Sequence, residues 1–230
     1  MRRSALLLVA ALTAAPLAAR AETAVTIPPP AAETVAQGAG LETAVLAGGC
    51  FWGIQAVYQH VKGVTNAVSG YAGGVQKEAE YETVSSGRTG HAESVKITFD
   101  PRQVSYGKIL QIYFSVAHNP TTYNRQGPDT GPQYRSEIFP QSEAQQKTAR
   151  DYIAQLDKAK VFGRPIVTKT DTMKAAFFPA EAYHQDYAIK HPYQPYIAFN
   201  DAPKVENLKK MFPDMWRDQP VLVSEAEKTN

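Results

Sequence analysis

Apolar residues recur along the chain with two periods, one typical of strands and the other of helices. The apolar run Thr43–Ala47 ends at two glycines and predicts a buried strand. A helix is predicted directly after it, because the next apolar residues follow the i, i+3, i+4, i+7 spacing of one helix face. These residues are Ile54, Val57, Tyr58 and Val61. The folded body therefore starts as a strand followed by a helix.

The same two periods predict four further elements before residue 140. They are a strand over Val64–Tyr71, a strand with Val95, Ile97 and Phe99 on one face, a helix capped by Ser105 with Ile109, Ile112, Tyr113 and Val116 on its buried face, and a short strand over Arg135–Phe139. The resulting order, β-α-β-β-α-β, is that of the ferredoxin-like split βαβ arrangement. We therefore predict an α+β fold, a two-layer sandwich with a ferredoxin-like core.

Helical and irregular additions are predicted after this core. Ser142 and Gln145 have the spacing of a capping box at the start of a further helix. The buried face of that helix consists of Ala149, Tyr152, Ile153 and Leu156. Ile166–Thr170 predicts a strand and Ala180–Lys190 a last helix. Because this fold class hosts many unrelated functions, it does not identify one by itself.

Both ends of the chain lie outside the predicted folded body, which covers residues 41–216. Residues 1–21 have a basic start, a short apolar centre and an Ala-Arg-Ala end, which is the pattern of a secretory signal peptide; an uncleaved N-terminal anchor is the alternative. Residues 22–40 are rich in proline and alanine and predict a flexible or polyproline-like linker, and residues 217–230 predict a polar tail. We therefore expect an exported, periplasmic protein without stable membrane insertion.

Charge and cysteine content exclude several classes of protein. The chain has 24 basic and 22 acidic side chains, and its first 21 residues hold three of the basic ones and none of the acidic ones. The remaining domain is nearly neutral, so we expect no nucleic-acid partner. The single cysteine, Cys50, excludes an internal disulfide, a cysteine-only zinc site and an iron–sulfur cluster held by this chain alone. The five histidines do not have the spacing of metal ligands, so we expect no metal or other cofactor. We also expect a monomer.

Cys50 lies between the first predicted strand and the first turn of the predicted helix, in the sequence GGCFWG over residues 48–53. The backbone N–H groups and the positive dipole end of a helix start favour a thiolate, and the preceding glycines allow a tight turn that leaves the sulfur accessible. The alternatives are an inert buried cysteine and a lipoprotein cleavage site. Glu42 and the proline-rich stretch upstream disfavour the second. Cys50 is therefore a candidate nucleophile.

Four sequence blocks resemble, in the same order, the pattern of the peptide methionine sulfoxide reductase A family. The blocks are Gly49–Gly53 (GCFWG), Tyr81–Val84 with Gly87–Glu93, Gln126–Ser136, and Phe178–Glu181 with Tyr183–Gln185. The resemblance covers residues 43–196, which is nearly the whole folded body. It implies an enzyme that reduces methionine S-sulfoxide, either free or in oxidised proteins and peptides, to methionine.

The resemblance also implies a role for each site residue. Reduction of a sulfoxide requires a thiolate that attacks sulfur and donors that stabilise and protonate the oxygen. Cys50 is then the nucleophile and Glu93 the proton donor, which must stay partly protonated through desolvation. The other residues are Tyr81 and Tyr134 as phenolic donors to the oxygen, Phe51 and Trp52 as an apolar wall for the S-methyl group, and Asp129 as an organising residue. His184 is a further candidate for the substrate site, and a structural hydrogen bond is the alternative for it.

The chain departs from the family in its cysteine content. Many members carry resolving cysteines towards the C-terminus, which attack the sulfenic acid left on the nucleophile, whereas Cys50 is the single cysteine of this sequence. The sulfenic acid must then be reduced by an outside thiol, either a thioredoxin-like protein or a small thiol.

Two other functions fit part of the same sequence. Cys50 with His91 or His184 would form the dyad of a cysteine hydrolase or acyltransferase. Alternatively, the aromatic residues would form a non-catalytic module that binds methionine sulfoxide. Glu93 and the two tyrosines favour reduction, because they suit protonation of an oxygen better than acceptance of a proton from a thiol.

Overall fold

A computed structural model of the chain describes residues 24–32 and 40–223. The strands in these residues are β1 (Glu42–Gly48), β2 (Val64–Ala72), β3 (Ala92–Phe99), β4 (Arg125–Gln126), β5 (Asp129–Thr130), β6 (Ser136–Phe139) and β7 (Phe177–Pro179). The α-helices are α1 (Phe51–Gln59), α2 (Tyr81–Ser85), α3 (Tyr106–Ile112), α4 (Glu143–Lys158), α5 (Tyr187–Lys190) and α6 (Ala202–Met211). Within the same described ranges, no helix is long and apolar enough to cross a membrane.

Five of the strands form one antiparallel sheet in the order β6-β1-β3-β2-β7. The four strands predicted before residue 140 therefore lie in the order fourth, first, third, second, which is the order of a ferredoxin-like core. The predicted fold class is confirmed. Strand β7 extends the sheet beyond β2 and is not predicted from the sequence. Strands β4 and β5 form a separate small hairpin.

The main core lies between one face of the sheet and helices α1 and α3. Ala44 and Leu46 of β1 face this core and are fully buried, and Val45 and Ala47, which alternate with them, face a smaller apolar cluster on the other side of the sheet. The hydroxyl of Tyr58 in α1 donates to the carbonyl of Ile109 in α3 at 2.8 Å. This packing fixes α1, and with it the residue that precedes α1, relative to the sheet.

The two predicted helix caps are present, but one differs from the expected motif. Ser105 Oγ accepts from the amide of Lys108 at 3.1 Å, and Ser142 Oγ accepts from the amide of Gln145 at 3.2 Å. In a capping box the Gln145 side chain would accept from the amide of Ser142. It accepts from the amide of Gln141 instead, at 3.0 Å.

Two predicted elements of the C-terminal half are wrong. Ile166–Thr170 does not form a strand and makes one isolated bridge to β6, through Lys169. Ala180–Lys190 is not one helix, because Asp186 has a left-handed backbone with φ of 60° and separates a 3₁₀ turn from α5. Helix α6 follows a π-helical turn, Ile197–Asp201, and is also not predicted from the sequence.

Residues 24–32, which belong to the predicted linker, lie extended against the domain, and we call them the N-terminal strap. Ile27 is 5% exposed and packs in the main core. The amide of Val25 donates to the carbonyl of Ser115 at 2.9 Å, and the hydroxyl of Tyr152 donates to the carbonyl of Pro28 at 2.6 Å. This part of the predicted linker therefore contacts both the turn after α3 and helix α4. The predicted signal peptide lies outside the described residues.

Residues 217–223 also lie against the domain, although they belong to the predicted polar tail. The amide of Val221 donates to the carbonyl of Gln59 at 3.0 Å, at the end of α1. The amide of Val223 donates to the carboxylate of Asp186 at 3.0 Å. The domain boundary predicted at residue 216 therefore falls seven residues before the end of the described chain.

Candidate active site

Cys50 is the N-cap residue of α1, directly after β1. Gly49 before it has a φ of 98°, a conformation that side-chain-bearing residues rarely adopt. A Cβ at Gly49 would also lie 2.6 Å from Cβ of Gln126, so the β4 residue packs directly on the backbone before the cysteine. These two constraints explain the second glycine of the GGCFWG sequence.

Gly53, the last residue of that sequence, lies against a buried carboxylate. A Cβ at Gly53 would be 2.2 Å from Oδ1 of Asp201, which is fully buried. The π-helical turn that carries Asp201 therefore packs on the first turn of α1. Cys50 lies between this turn and the loop around Gln126, and 8% of it is exposed.

Glu93 is the second residue of β3, and its carboxyl lies beside the cysteine backbone. Its Oε2 accepts a hydrogen bond at 3.1 Å from the amide of Phe51, the residue after Cys50. Burial raises the pKa of Glu93 to about 8; the Phe51 amide lowers it, and the charges of Asp129 and Asp201 raise it. The side chain is therefore a protonated carboxylic acid at neutral pH, which the proton-donor hypothesis requires.

The thiol of Cys50 is also protonated in this environment. Burial raises its pKa well above the ordinary value, and the carboxylates of Asp201 and Glu93 raise it further. The backbone N–H of Trp52 lowers this pKa but does not offset burial. The expectation that the helix start favours a thiolate is therefore not met in this structure, because desolvation outweighs the helix terminus.

Tyr81 and Tyr134 approach the same site from α2 and from the 3₁₀ turn after β5. Burial raises the pKa of both phenols, and the charges of Glu93 and Cys50 raise both further. Both phenols are therefore protonated donors within electrostatic reach of the thiol and of the Glu93 carboxyl. The backbone amide of Tyr81 donates to Oε1 of Glu181 at 2.9 Å, which fixes the start of α2.

Phe51 and Trp52 form an aromatic wall together with residues from the C-terminal half. The indole of Trp52 stacks on the ring of Tyr187, with centroids 4.0 Å apart and an interplanar angle of 13°. The ring of Phe51 meets that of His184 edge-on, with centroids 5.1 Å apart. The two predicted wall residues are thus brought together, and Tyr187 is an addition that the sequence does not indicate.

His184 lies in this wall and also makes a side-chain hydrogen bond, and its part in substrate binding stays a prediction. Nε1 of Trp52 donates to Nδ1 of His184 at 3.2 Å. Burial lowers the pKa of His184, so the ring is neutral, and because Nδ1 accepts from Trp52 the ring proton is on Nε2. The other histidine of the hydrolase alternative, His91, has Nε2 3.0 Å from the carbonyl of Val75 and packs against Tyr71.

Asp129 lines a cavity together with Cys50. Its Oδ2 accepts a short hydrogen bond from the hydroxyl of Tyr196, and burial raises its pKa. The cavity is lined by Cys50, Gln126, Gly127, Pro128, Asp129, Tyr196, Asn200 and Lys204. Three of these, Tyr196, Asn200 and Lys204, are not predicted as site residues, although their spacing of four places them on one helical face.

This fold and site define a thiol-dependent enzyme, in which a cysteine at a helix start lies beside a protonated carboxylic acid and two phenols. The family model described as peptide methionine sulfoxide reductase matches residues 42–216, and the chain belongs to this family. It is an enzyme that reduces methionine sulfoxide. The sequence-based family assignment and activity are therefore confirmed, and neither the hydrolase nor the binding module is supported.

Two relatives show how far the similarity extends along the chain. A peptide methionine sulfoxide reductase MsrA 2 from Mesorhizobium japonicum is 60% identical over 187 residues, which are 81% of this chain and 95% of the relative. A peptide methionine sulfoxide reductase MsrA from Deinococcus radiodurans is 47% identical over 180 residues, 78% of this chain and 86% of the relative. The match thus covers nearly the whole of these relatives.

Two solved structures have the same fold. Mxr1 from Saccharomyces cerevisiae in its reduced form superposes with a TM-score of 0.60 at 31% identity, covering 69% of this chain and 90% of that one. Methionine sulfoxide reductase A of Corynebacterium diphtheriae superposes with a TM-score of 0.58 at 33% identity, covering 76% of this chain and 88% of that one. Both comparisons agree with the assignment made from sequence.

Proposed function

We propose that Cys50 reduces methionine S-sulfoxide through a sulfenic acid, with Glu93 as the proton donor. One observation carries this assignment of roles: the buried carboxyl of Glu93, with its pKa raised to about 8, lies hydrogen-bonded to the amide next to Cys50. A carboxylic acid that is protonated at neutral pH can give its proton to a sulfoxide oxygen as the sulfur is attacked.

The first half-reaction uses one thiol and one sulfoxide. The sulfur of Cys50 attacks the sulfoxide sulfur while Glu93 protonates the oxygen, and Tyr81 and Tyr134 donate hydrogen bonds to it; the proton that the Cys50 thiol loses restores Glu93. The new S–S bond then breaks as the hydroxyl group passes from the substrate sulfur to Cys50, which leaves methionine and a sulfenic acid, so the substrate sulfur is reduced and the cysteine sulfur is oxidised. Phe51 and Trp52 hold the S-methyl group, and Asp129 with Tyr196 lines the cavity at Cys50.

The second half-reaction needs a thiol from outside the chain, because Cys50 is its single cysteine. A small thiol or a thioredoxin-like dithiol protein attacks the sulfenic acid, releases water and forms a mixed disulfide, and a second thiol then restores Cys50. The substrates we propose are free methionine sulfoxide and oxidised proteins or peptides, so that the enzyme acts in protein repair.

We also propose that the enzyme is exported and works as a periplasmic monomer. The basic and apolar pattern of residues 1–21 supports export. N-terminal sequencing of the protein from a periplasmic extract, with gel filtration of the same sample, tests this part. A mature N-terminus at residue 22 is expected, and full-length protein in the cytoplasmic fraction would contradict the proposal.

The catalytic proposal is tested by a single turnover without any thiol. Reduced enzyme is mixed with racemic methionine sulfoxide, and we expect about one methionine per chain, formed from the S epimer, and a dimedone adduct on Cys50. Cys50→Ser should release no methionine. Methionine formation by Cys50→Ser, consumption of the R epimer only, or release of methionine without a sulfenate or mixed disulfide would overturn the proposal.

A further inference from the structure

Lys204 lies in the wall of the Cys50 cavity and has no assigned role in the first half-reaction. It belongs to α6, and 7% of the residue is exposed. Its ammonium group lies 3.3 Å from Oδ1 of Asp201, which is fully buried. Burial of both members of an ion pair usually costs about as much free energy as their attraction returns. Stability alone is therefore a poor explanation for a lysine at this position.

The charge around Cys50 is otherwise negative. Asp129 lines the cavity together with Cys50, and the charge of Asp201 raises the pKa of the Cys50 thiol more than any other charge. Of the described residues that line this cavity, Lys204 alone is basic. Its charge reaches Asp129, since it lowers the pKa of that carboxyl. The lining of the cavity therefore holds one carboxylate, that of Asp129, and one ammonium group, that of Lys204, while the Asp201 carboxylate is fully buried beside this ammonium group.

The second half-reaction brings an anion into the cavity. The species that attacks a sulfenic acid is a thiolate, and it must come from outside this single-cysteine chain. Glu93 and the two phenols contact the substrate oxygen in the proposed first half-reaction, whereas Lys204 lies on the wall formed by Asn200 and residues 126–129. Of the residues in this wall, Asp129 alone has a proposed part in the first half-reaction.

We propose that Lys204 receives the thiolate of the external reductant next to the Cys50 sulfenic acid, and that Asp201 holds the Lys204 ammonium group in the cavity wall. This inference rests on the proposed single-cysteine mechanism. Asp201 is a positioning residue, because it acts through Lys204. A buried ammonium group attracts a thiolate much more strongly than an exposed one, since the surrounding protein screens the charge less than water does.

This reduction needs no reactant other than the sulfenic acid and two external thiols. The thiolate sulfur bonds to the Cys50 sulfur and displaces hydroxide, which takes the proton that the attacking thiol has lost and leaves as water. The attacking sulfur is oxidised and the Cys50 sulfur is reduced to the level of a disulfide. A second thiolate attacks the outer sulfur and releases Cys50 as a thiolate, which takes up the proton that the second thiol has lost.

The test measures the two half-reactions separately in the full chain. Methionine formation without thiol gives the first rate constant. Loss of the extra oxygen from Cys50 after addition of dithiothreitol, followed by intact-mass measurement, gives the second. We compare Lys204→Met, Lys204→Arg and, as a control on the same helix, Lys209→Met, whose side chain is 61% exposed.

In Lys204→Met the ratio of the second rate constant to the first should be about tenfold lower than in the wild type, as expected for loss of a nearby opposite charge. Lys204→Arg should recover most of this loss, and Lys209→Met should change neither rate constant. An unchanged second rate constant, an equal fall in both, or no recovery by arginine would overturn the inference. Absence of any methionine burst in the wild type would instead overturn the proposed function.

A second variant covers the case in which Lys204→Met leaves Asp201 without its cation and fails to fold. The double variant Asp201→Asn with Lys204→Met removes both charges. Its second rate constant should also be lower than that of the wild type, measured against its own first rate constant. A wild-type ratio in the folded double variant would overturn the role of Lys204.

Discussion

The carboxyl of Glu93 accepts its hydrogen bond from the backbone amide of Phe51, 3.1 Å away, so the proposed proton donor is bound to the residue next to the nucleophile. The amide is part of the first turn of α1, and the carboxyl comes from the centre of the sheet in β3. A change in either the turn or the sheet therefore alters the distance between acid and thiol.

Glu93→Gln should lower the rate of the first half-reaction by about 100-fold or more, because glutamine cannot protonate the oxygen. In the wild type this rate should fall as the pH rises through about 8, where Glu93 loses its proton. The measurement is single-turnover methionine formation from pH 6 to 10. A variant with wild-type rates at pH 7 would contradict the role of Glu93.

The same carboxyl predicts how stability depends on pH. Burial raises the pKa of Glu93 from 4.5 to about 8. Between these values the folded state binds a proton that the unfolded state has lost, so the free energy of unfolding falls as pH rises and levels off above about 8. Urea titrations from pH 5 to 9 should show this fall in the wild type and a smaller one in Glu93→Gln. Equal pH dependence of the two proteins would contradict the raised pKa.

Gly53→Ala should destabilise the protein by about 1–3 kcal/mol, because the added methyl group overlaps the carboxylate of Asp201. In an ordinary helix the same substitution is stabilising. Gly40→Ala is a suitable control, since a Cβ there meets no atom within 4 Å. Urea denaturation at one pH compares the two variants, and equal stability would show that the turn carrying Asp201 does not pack on α1.

His184→Ala should raise KM for methionine sulfoxide by about fivefold, which corresponds to ~1 kcal/mol, because Trp52 loses its hydrogen-bond acceptor and the wall loses a ring. His184→Asn keeps an acceptor and should recover part of the loss. Initial rates at saturating reductant give KM. An unchanged KM in His184→Ala would mean that the histidine does not orient Trp52.

Ile27→Ala should cost about 2–4 kcal/mol of unfolding free energy, since this residue of the N-terminal strap is buried in the main core. Thr26→Ala changes the exposed neighbour and should have little effect. Thermal unfolding of both variants, followed by circular dichroism, distinguishes a packed strap from a loosely attached one. A loss below ~0.5 kcal/mol in Ile27→Ala would contradict the packing.

Local periodicity was sufficient for the N-terminal half of the fold. The strand order follows from six consecutive elements whose apolar faces are regular. Local periodicity does not predict the structure around Asp186, because long-range hydrogen bonds determine the backbone conformation there. The amide of Asp186 donates to Gln55 at 2.9 Å, and its carboxylate accepts from Gln59 at 2.7 Å. These partners lie more than 120 positions earlier in the chain, so no local window contains the reason for the break in the helix.

The sequence predicts those site residues that lie within the family motifs. Cys50 and Glu93 are recognisable because their neighbours in sequence form a family pattern. Asp201 and Lys204 are not, because their place beside Cys50 depends on how α6 folds back onto α1. The spacing of Tyr196, Asn200 and Lys204 indicates one helical face, but a face does not reveal which element it will meet.

The walls of the Cys50 cavity come from residues 126–129 and residues 196–204, and Glu93 reaches the same region from the middle of the sheet. None of these segments adjoins the cysteine in the chain. A newly synthesised or partly unfolded molecule therefore carries Cys50 as an ordinary thiol in water, without the acid, the phenols or the ion pair. Only folded molecules therefore have reductase activity, and this activity can serve as a measure of correct folding for the whole domain.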